Sequence, residues 1–141
     1  KVMAECLIYK GYRVCTGGTD NHIVLCDLKP KGISGSKAEI ICDFVNISIN
    51  KNTIPGDKSA FNPSGIRLGT PALTTRGFEE NDFRQVVDYL DKAISIGVKI
   101  LLCNNNSLSN KEFTDKLSTN MELLSLKSEI ASFASRFEFY T

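Results

Sequence analysis

Apolar and polar residues alternate along the chain with two different periods, and the changes of period outline its elements. Val2, Cys6 and Tyr9 recur near helical spacing, and Gly11 stands where a left-handed residue ends a helix. Arg13 to Thr16 and His22 to Leu28 read as strands, with Gly17-Gly18 and Thr19-Asp20-Asn21 turning between them. Ser34 is placed to cap a helix whose apolar positions are Ala38, Ile41, Cys42 and Val45. Ile47 and Ile49 alternate with polar residues in a short strand that leads into an Asn-Lys-Asn loop. Ile66 and Leu68 flank Arg67, so a strand that turns both toward a core turns the arginine to the opposite face.

The longest pattern runs from Phe78 to about Cys103, with Phe83, Val86, Val87, Leu90, Ile94, Val98 and Leu101 on one face of a helix. Asn104 to Asn110 interrupts it. A last helical region is expected to about Phe137, with Leu123, Ile130, Phe133 and Phe137 as core candidates. This order of elements predicts a mixed α/β fold, one sheet covered on one face by helices, with the long helix packed across it.

Composition narrows the function classes more than it names one. A chain of 141 residues, 42% hydrophobic and 23% charged, has enough apolar material for one core and excludes a disordered or fibrous chain. Seventeen basic against sixteen acidic residues leave a formal charge of +1, which argues against a large electrostatic footprint for nucleic acid or an acidic membrane. Cys6, Cys15, Cys26, Cys42 and Cys103 are odd in number and contain no C-x-x-C pair, the pattern of free thiols in a reducing compartment. With one histidine, and no Cys/His cluster, no metal site is expected. No apolar run approaches the ~20 residues needed to span a bilayer. Lys1 to Ile8 reads as the middle of a helix, so the chain is expected to be part of a longer protein.

Candidate chemistry concentrates in one stretch. Asn50-Lys51-Asn52-Thr53-Ile54-Pro55-Gly56-Asp57 is followed by Pro63-Ser64-Gly65-Ile66-Arg67-Leu68-Gly69-Thr70-Pro71. Pro and Gly fix and thin the backbone around a polar loop and one arginine, a suitable presentation for a small anionic ligand. Spacing alone leaves alternatives open: Arg67 also reads as a surface or salt-bridging arginine, and Lys51, Asn52 and Thr53 as a polar turn. Gly17-Gly18 lacks the spacing of a phosphate cradle and reads as a tight turn. His22 opens an apolar strand beside turn formers and reads as structural, and Arg76 as a structural ion pair. Paired carboxylates of the glycosidase kind are missing.

Together with Gly17-Gly18-Thr19-Asp20-Asn21-His22 and Thr74-Thr75-Arg76-Gly77, this stretch resembles the C-terminal part of the serine hydroxymethyltransferases, from about Gly11 to Phe83. Pro55-Gly56-Asp57-Lys58-Ser59-Ala60 is similar to the spelling of the eukaryotic members. The resemblance implies the two-layer small C-terminal domain of the aspartate-aminotransferase-like, fold type I pyridoxal-phosphate enzymes. It makes residues 1–141 a single such domain, with the N-terminal cofactor-binding domain outside the chain.

It further implies an enzyme that interconverts serine plus tetrahydrofolate with glycine plus 5,10-methylenetetrahydrofolate. Arg67 would pair with the carboxylate of the amino acid, which a lysine could not do in bidentate fashion. Lys51, Asn52 and Thr53 would lie beside the folate, with Asn52 best suited to a heterocycle because an amide offers a donor and an acceptor. Pyridoxal phosphate supplies an electron sink, and the lysine that carries it in the family lies in a motif this chain lacks. The segment by itself is therefore expected to hold no catalytic residue and to be inactive. The implied whole is an intracellular homodimer or homotetramer, cytoplasmic or mitochondrial, without nucleic-acid or membrane partners. The contrasting reading is a stand-alone folate-binding or regulatory module without catalysis.

Overall fold

The computed structural model describes residues 2–15, 23–54, 57, 63–69 and 79–136. Helix α1 (Val2–Tyr9) ends as its sequence predicts: Gly11 takes a φ of 92°, its N–H donates to Ile8 O at 3.0 Å, and Tyr12 N–H donates to Leu7 O at 2.9 Å. This paired closure satisfies two of the helix's last carbonyls and turns the chain into the sheet. Strands β1 (Arg13–Val14) and β2 (Ile23–Asp27) follow and pair antiparallel, with Val14 opposite Cys26. The expected turn between them, including His22, lies outside the described residues, as do Arg76 and Phe137.

After a short 3₁₀ turn (Lys29–Lys31), helix α2 (Gly35–Phe44) starts at Ser34, whose hydroxyl accepts from Lys37 N–H at 3.2 Å. Its predicted apolar positions Ala38, Ile41 and Cys42 are buried, and so is Val45 at its end. The chain leaves α2 through Asn46, at a positive φ of 68° that asparagine tolerates, and Ile47 N–H returns to Cys42 O at 2.8 Å.

Ile47 and Ile49 do not form a strand; the strand is β3, Asn50–Asn52, the segment read as a loop. Its backbone is claimed by β4 (Gly65–Gly69), and that pairing outweighs the poor strand propensity of Asn and Lys. The four described strands stand in the order β1-β2-β4-β3 with antiparallel neighbours throughout, placing β3 at an edge among the described residues.

Helix α3 (Glu80–Cys103) is the long predicted helix, opened by a reciprocal cap between Glu79 and Asp82. Its closest backbone neighbours are α1, α2 and the last helix, and its Leu90 and Ile94 join the same buried cluster as the sheet residues. The last helical region is also two helices, α4 (Asn110–Leu117) and α5 (Met121–Ser135). Each has its own cap. Ser109 and Glu112 exchange hydrogen bonds of 2.9 and 3.1 Å, and Asn120 Oδ1 accepts from Leu123 N–H at 2.9 Å.

One core joins these layers. Val24, Cys26, Ile66 and Leu68 from the sheet meet Leu7, Ile41, Cys42, Leu90, Ile94 and Phe113 from the helices. Tyr89 and Phe133 extend it between α3 and α5 with rings edge-on at 5.5 Å. Tyr12, buried beneath α3, donates to Asp91 Oδ1 at 2.7 Å, which satisfies its hydroxyl; burial, with that bond to Asp91, pushes its ionisation up. Because the helices cover the Val24, Cys26, Ile66 and Leu68 face, alternation turns Leu25 and Arg67 the other way.

Candidate active-site face of the sheet

That second face brings together two of the candidate residues, Arg67 and Asn52. Arg67 sits in the middle of β4, with Leu25 opposite it on β2 and Asn50 opposite it on β3. Directly opposite residues in an antiparallel pair share a face, with Cβ atoms about 5 Å apart. Arg67, Asn50 and Leu25 therefore form a row across three strands. Asn52, opposite Gly65, lies on the same face two residues along, beside a position that carries no side chain. Asp27, also opposite Gly65, is buried there and accepts from Arg13 Nη1 at 3.1 Å and Lys29 N–H at 2.9 Å.

Arg67 differs from the other described arginines in having no committed partner. Arg13 pairs with Asp27, Arg84 donates to Cys6 Sγ at 3.7 Å, and Arg136 lies over the Phe133 ring at 5.3 Å. Arg67 is exposed and makes no hydrogen bond or ion pair with another described residue. A strand fixes its stem while its planar fork of donors is left available, which suits a carboxylate.

The three loop candidates separate. Asn52 shares the face of Arg67, though its Nδ2 donates to Thr53 O at 2.9 Å; its Oδ1 remains an acceptor for a ligand. Lys51, opposite Ile66, points to the helix side, and its N–H donates to Glu39 Oε2 on α2 at 2.9 Å. Thr53 is exposed just beyond the strand. The sequence reading passed over Asn50, which the register places beside Arg67; only knowledge of the β3–β4 pairing reveals it.

Asp57 is the second residue passed over. Its Oδ2 accepts from Ile54 N–H and Ser64 N–H, both at 2.8 Å, its Oδ1 accepts from the Ser64 hydroxyl, and Lys29 Nζ stands 3.7 Å away. These donors, the Ser64 hydroxyl first and then the Ser64 and Ile54 N–H groups, hold the carboxyl down at about 2. An aspartate after Pro-Gly is a recognisable loop closer, but its partner seven residues on is a tertiary fact.

Residues 1–90 match the family model described as serine hydroxymethyltransferase. The chain is 46% identical to the mitochondrial serine hydroxymethyltransferase of Schizosaccharomyces pombe, with 99% of the chain aligned, and 48% identical to a probable cytosolic one from the same organism, with 97% aligned. The chain belongs to the serine hydroxymethyltransferase family. The cytosolic serine hydroxymethyltransferase of Oryctolagus cuniculus is 42% identical over 97% of the chain, so the resemblance to eukaryotic members extends from fungi to mammals. The chain spans 30% of the length of the two yeast relatives and 29% of the rabbit one. Family membership thus covers Arg67, Asn50 and Asn52, all of which lie within the matched residues.

Membership in this family implies pyridoxal phosphate. On the Arg67 face the described neighbours are Asn50, Asn52, Leu25 and the buried Asp27, none of which can carry the cofactor covalently, and Lys51 faces away. Arg67 on this face fits a carboxylate in its chemistry, and the described residues around it do not by themselves fit the cofactor.

Proposed function

We propose that this chain is the small C-terminal domain of a serine hydroxymethyltransferase and contributes the amino-acid carboxylate site and part of the folate site to the complete enzyme. The fold would be the two-layer small domain of the fold type I pyridoxal-phosphate enzymes. The complete enzyme would interconvert serine plus tetrahydrofolate with glycine plus 5,10-methylenetetrahydrofolate, as a homodimer or homotetramer in the cytoplasm or mitochondria. Pyridoxal phosphate would be held mainly by an N-terminal domain.

The observation that carries this reading is Arg67, exposed and without a described partner on the face it shares with Asn50 and Asn52. Its guanidinium would take the carboxylate of serine or glycine through two parallel charge-assisted bonds and so fix the orientation of the α-carbon. Asn52, with Lys51 and Thr53 beside it, would border the folate. Lys51, whose N–H is held by Glu39 and whose side chain leaves β3 on the helix side, would reach only the folate's anionic tail, and Thr53 would act through its backbone.

The test is steady-state kinetics of the full-length enzyme with Arg67→Lys and Arg67→Ala. Two charge-assisted hydrogen bonds are together worth about 3 to 5 kcal/mol, so both variants should lose ~10²-fold or more in kcat/KM for serine, with little rescue by lysine. Arg67→Lys within threefold of wild type would refute the assignment.

A further inference from the structure

We propose that Asp57 is a positioning residue that locks the Lys51–Thr53 segment to the strand carrying Arg67. The inference rests on the function proposed above. Ile54, whose N–H is held by Asp57 Oδ2, directly follows Thr53; Ser64, whose N–H reaches the same oxygen, directly precedes β4. A single carboxylate oxygen thus joins the end of one candidate segment to the start of the other. The second oxygen takes the Ser64 hydroxyl and faces Lys29 Nζ, so both oxygens are engaged.

The Ser64 side of this clamp is rigid. Ser64 O accepts from Leu28 N–H at 2.9 Å, and the neighbouring Pro63 O accepts from Gly35 N–H at 2.8 Å, which ties it to β2 and to the first turn of α2. The Ile54 side is not rigid by itself. β3 is three residues long and, among the described residues, pairs on one edge only, so without the carboxylate its exit is held by Ile54 packing and by the Glu39 bond to Lys51 N–H. The Asp57 side chain is 6% exposed, and its described partners are Ile54, Ser64 and Lys29. Its loss should therefore shift the loop relative to Arg67 while leaving the fold in place.

Kinetics and amide exchange of the full-length enzyme test this with Asp57→Ala, Asp57→Asn and Ser64→Ala. A displacement of about 1 Å costs up to ~10²-fold, so Asp57→Ala should raise the KM for tetrahydrofolate ~10-fold while kcat changes less than threefold. Asp57→Asn keeps one acceptor, and Ser64→Ala removes only the hydroxyl bond, so both should fall between Asp57→Ala and wild type. The Ile54 and Ser64 amides should exchange faster in Asp57→Ala, with the core amides unchanged. A folate KM within twofold of wild type in all three variants would overturn the proposal, as would unchanged exchange at Ile54 and Ser64. A wild-type enzyme without folate-dependent activity would instead refute the function proposed above, and exchange at Ile54 and Ser64 would still decide whether Asp57 holds the two segments together.

Discussion

Replacing Gly35 by alanine should destabilise the domain far more than adding one methyl group suggests. Gly35 opens α2 where the helix meets the sheet, and a Cβ there would collide with Gly65 O and stand 3.0 Å from Pro63 O. Neither obstacle is a side chain that can turn aside. Gly65 is paired with Asp27 on one side and Asn52 on the other, and Pro63 O accepts the Gly35 N–H. The helix must back away from β4 or the strand must lose its register, and overpacking against fixed neighbours costs about 3 kcal/mol.

Gly97→Ala supplies the control. A Cβ at Gly97 would lie 3.2 Å from Ile41 Cδ1, 3.3 Å from Ile33 Cδ1 and 3.4 Å from Phe113 Cζ, all ends of side chains. The gain of about 1 kcal/mol in helix propensity should roughly cancel the crowding. Urea unfolding followed by far-ultraviolet circular dichroism, with thermal melts alongside, measures both variants. Gly35→Ala should lower the melting temperature by roughly 10 °C, and Gly97→Ala should stay within a few degrees of wild type. If Gly35→Ala unfolds within about 0.5 kcal/mol of wild type, or if the two variants lose equal stability, the close approach of α2 to β4 is misjudged.

The Asp57 carboxyl, held at about 2 against an ordinary 3.8, contributes stability that is present above the ordinary value and is lost as pH falls from about 4 toward 2; Lys29 is the described charge that faces it. Carbon-13 chemical shifts of the carboxyl group should show it titrating well below the ordinary carboxyl range, and a midpoint close to 3.8 would contradict the clamp. Thiol labelling followed by mass spectrometry should modify exposed Cys15 and Cys103 first and leave buried Cys26 and Cys42 untouched until unfolding, since burial pushes the Cys26 thiol up to about 12 and Cys42 in the same direction. Early labelling of Cys42 would mean that α2 separates from the sheet in the native state.

What could be read in the sequence was what neighbours along the chain decide. Ser34 caps α2, Gly11 closes α1, and Ile66-Arg67-Leu68 divides itself between two faces because these outcomes rest on local backbone chemistry and a period of two. The break between α4 and α5 was also written locally, in Ser109 with Glu112 and in Asn120, but a run of apolar residues drew the reading past it. By contrast, β3 was illegible, because nothing in Asn-Lys-Asn favours a strand until β4 lies beside it. The partnership of Asn50 with Arg67 and the carboxylate bridge of Asp57 depend on that same tertiary pairing, so the residues were visible while their roles were not.

The edge position of β3 gives its alignment a chemical meaning. Side chains alternate along the strand, so sliding Asn50–Asn52 by a single residue against β4 would withdraw both amides from the side of Arg67 and deliver the Lys51 ammonium in their place. Two cations would then face each other where one cation now stands between neutral groups, and a monoanionic ligand would meet a doubly charged surface. Ligand preference on this sheet could change without altering a single codon, simply through the way two short strands are laid side by side.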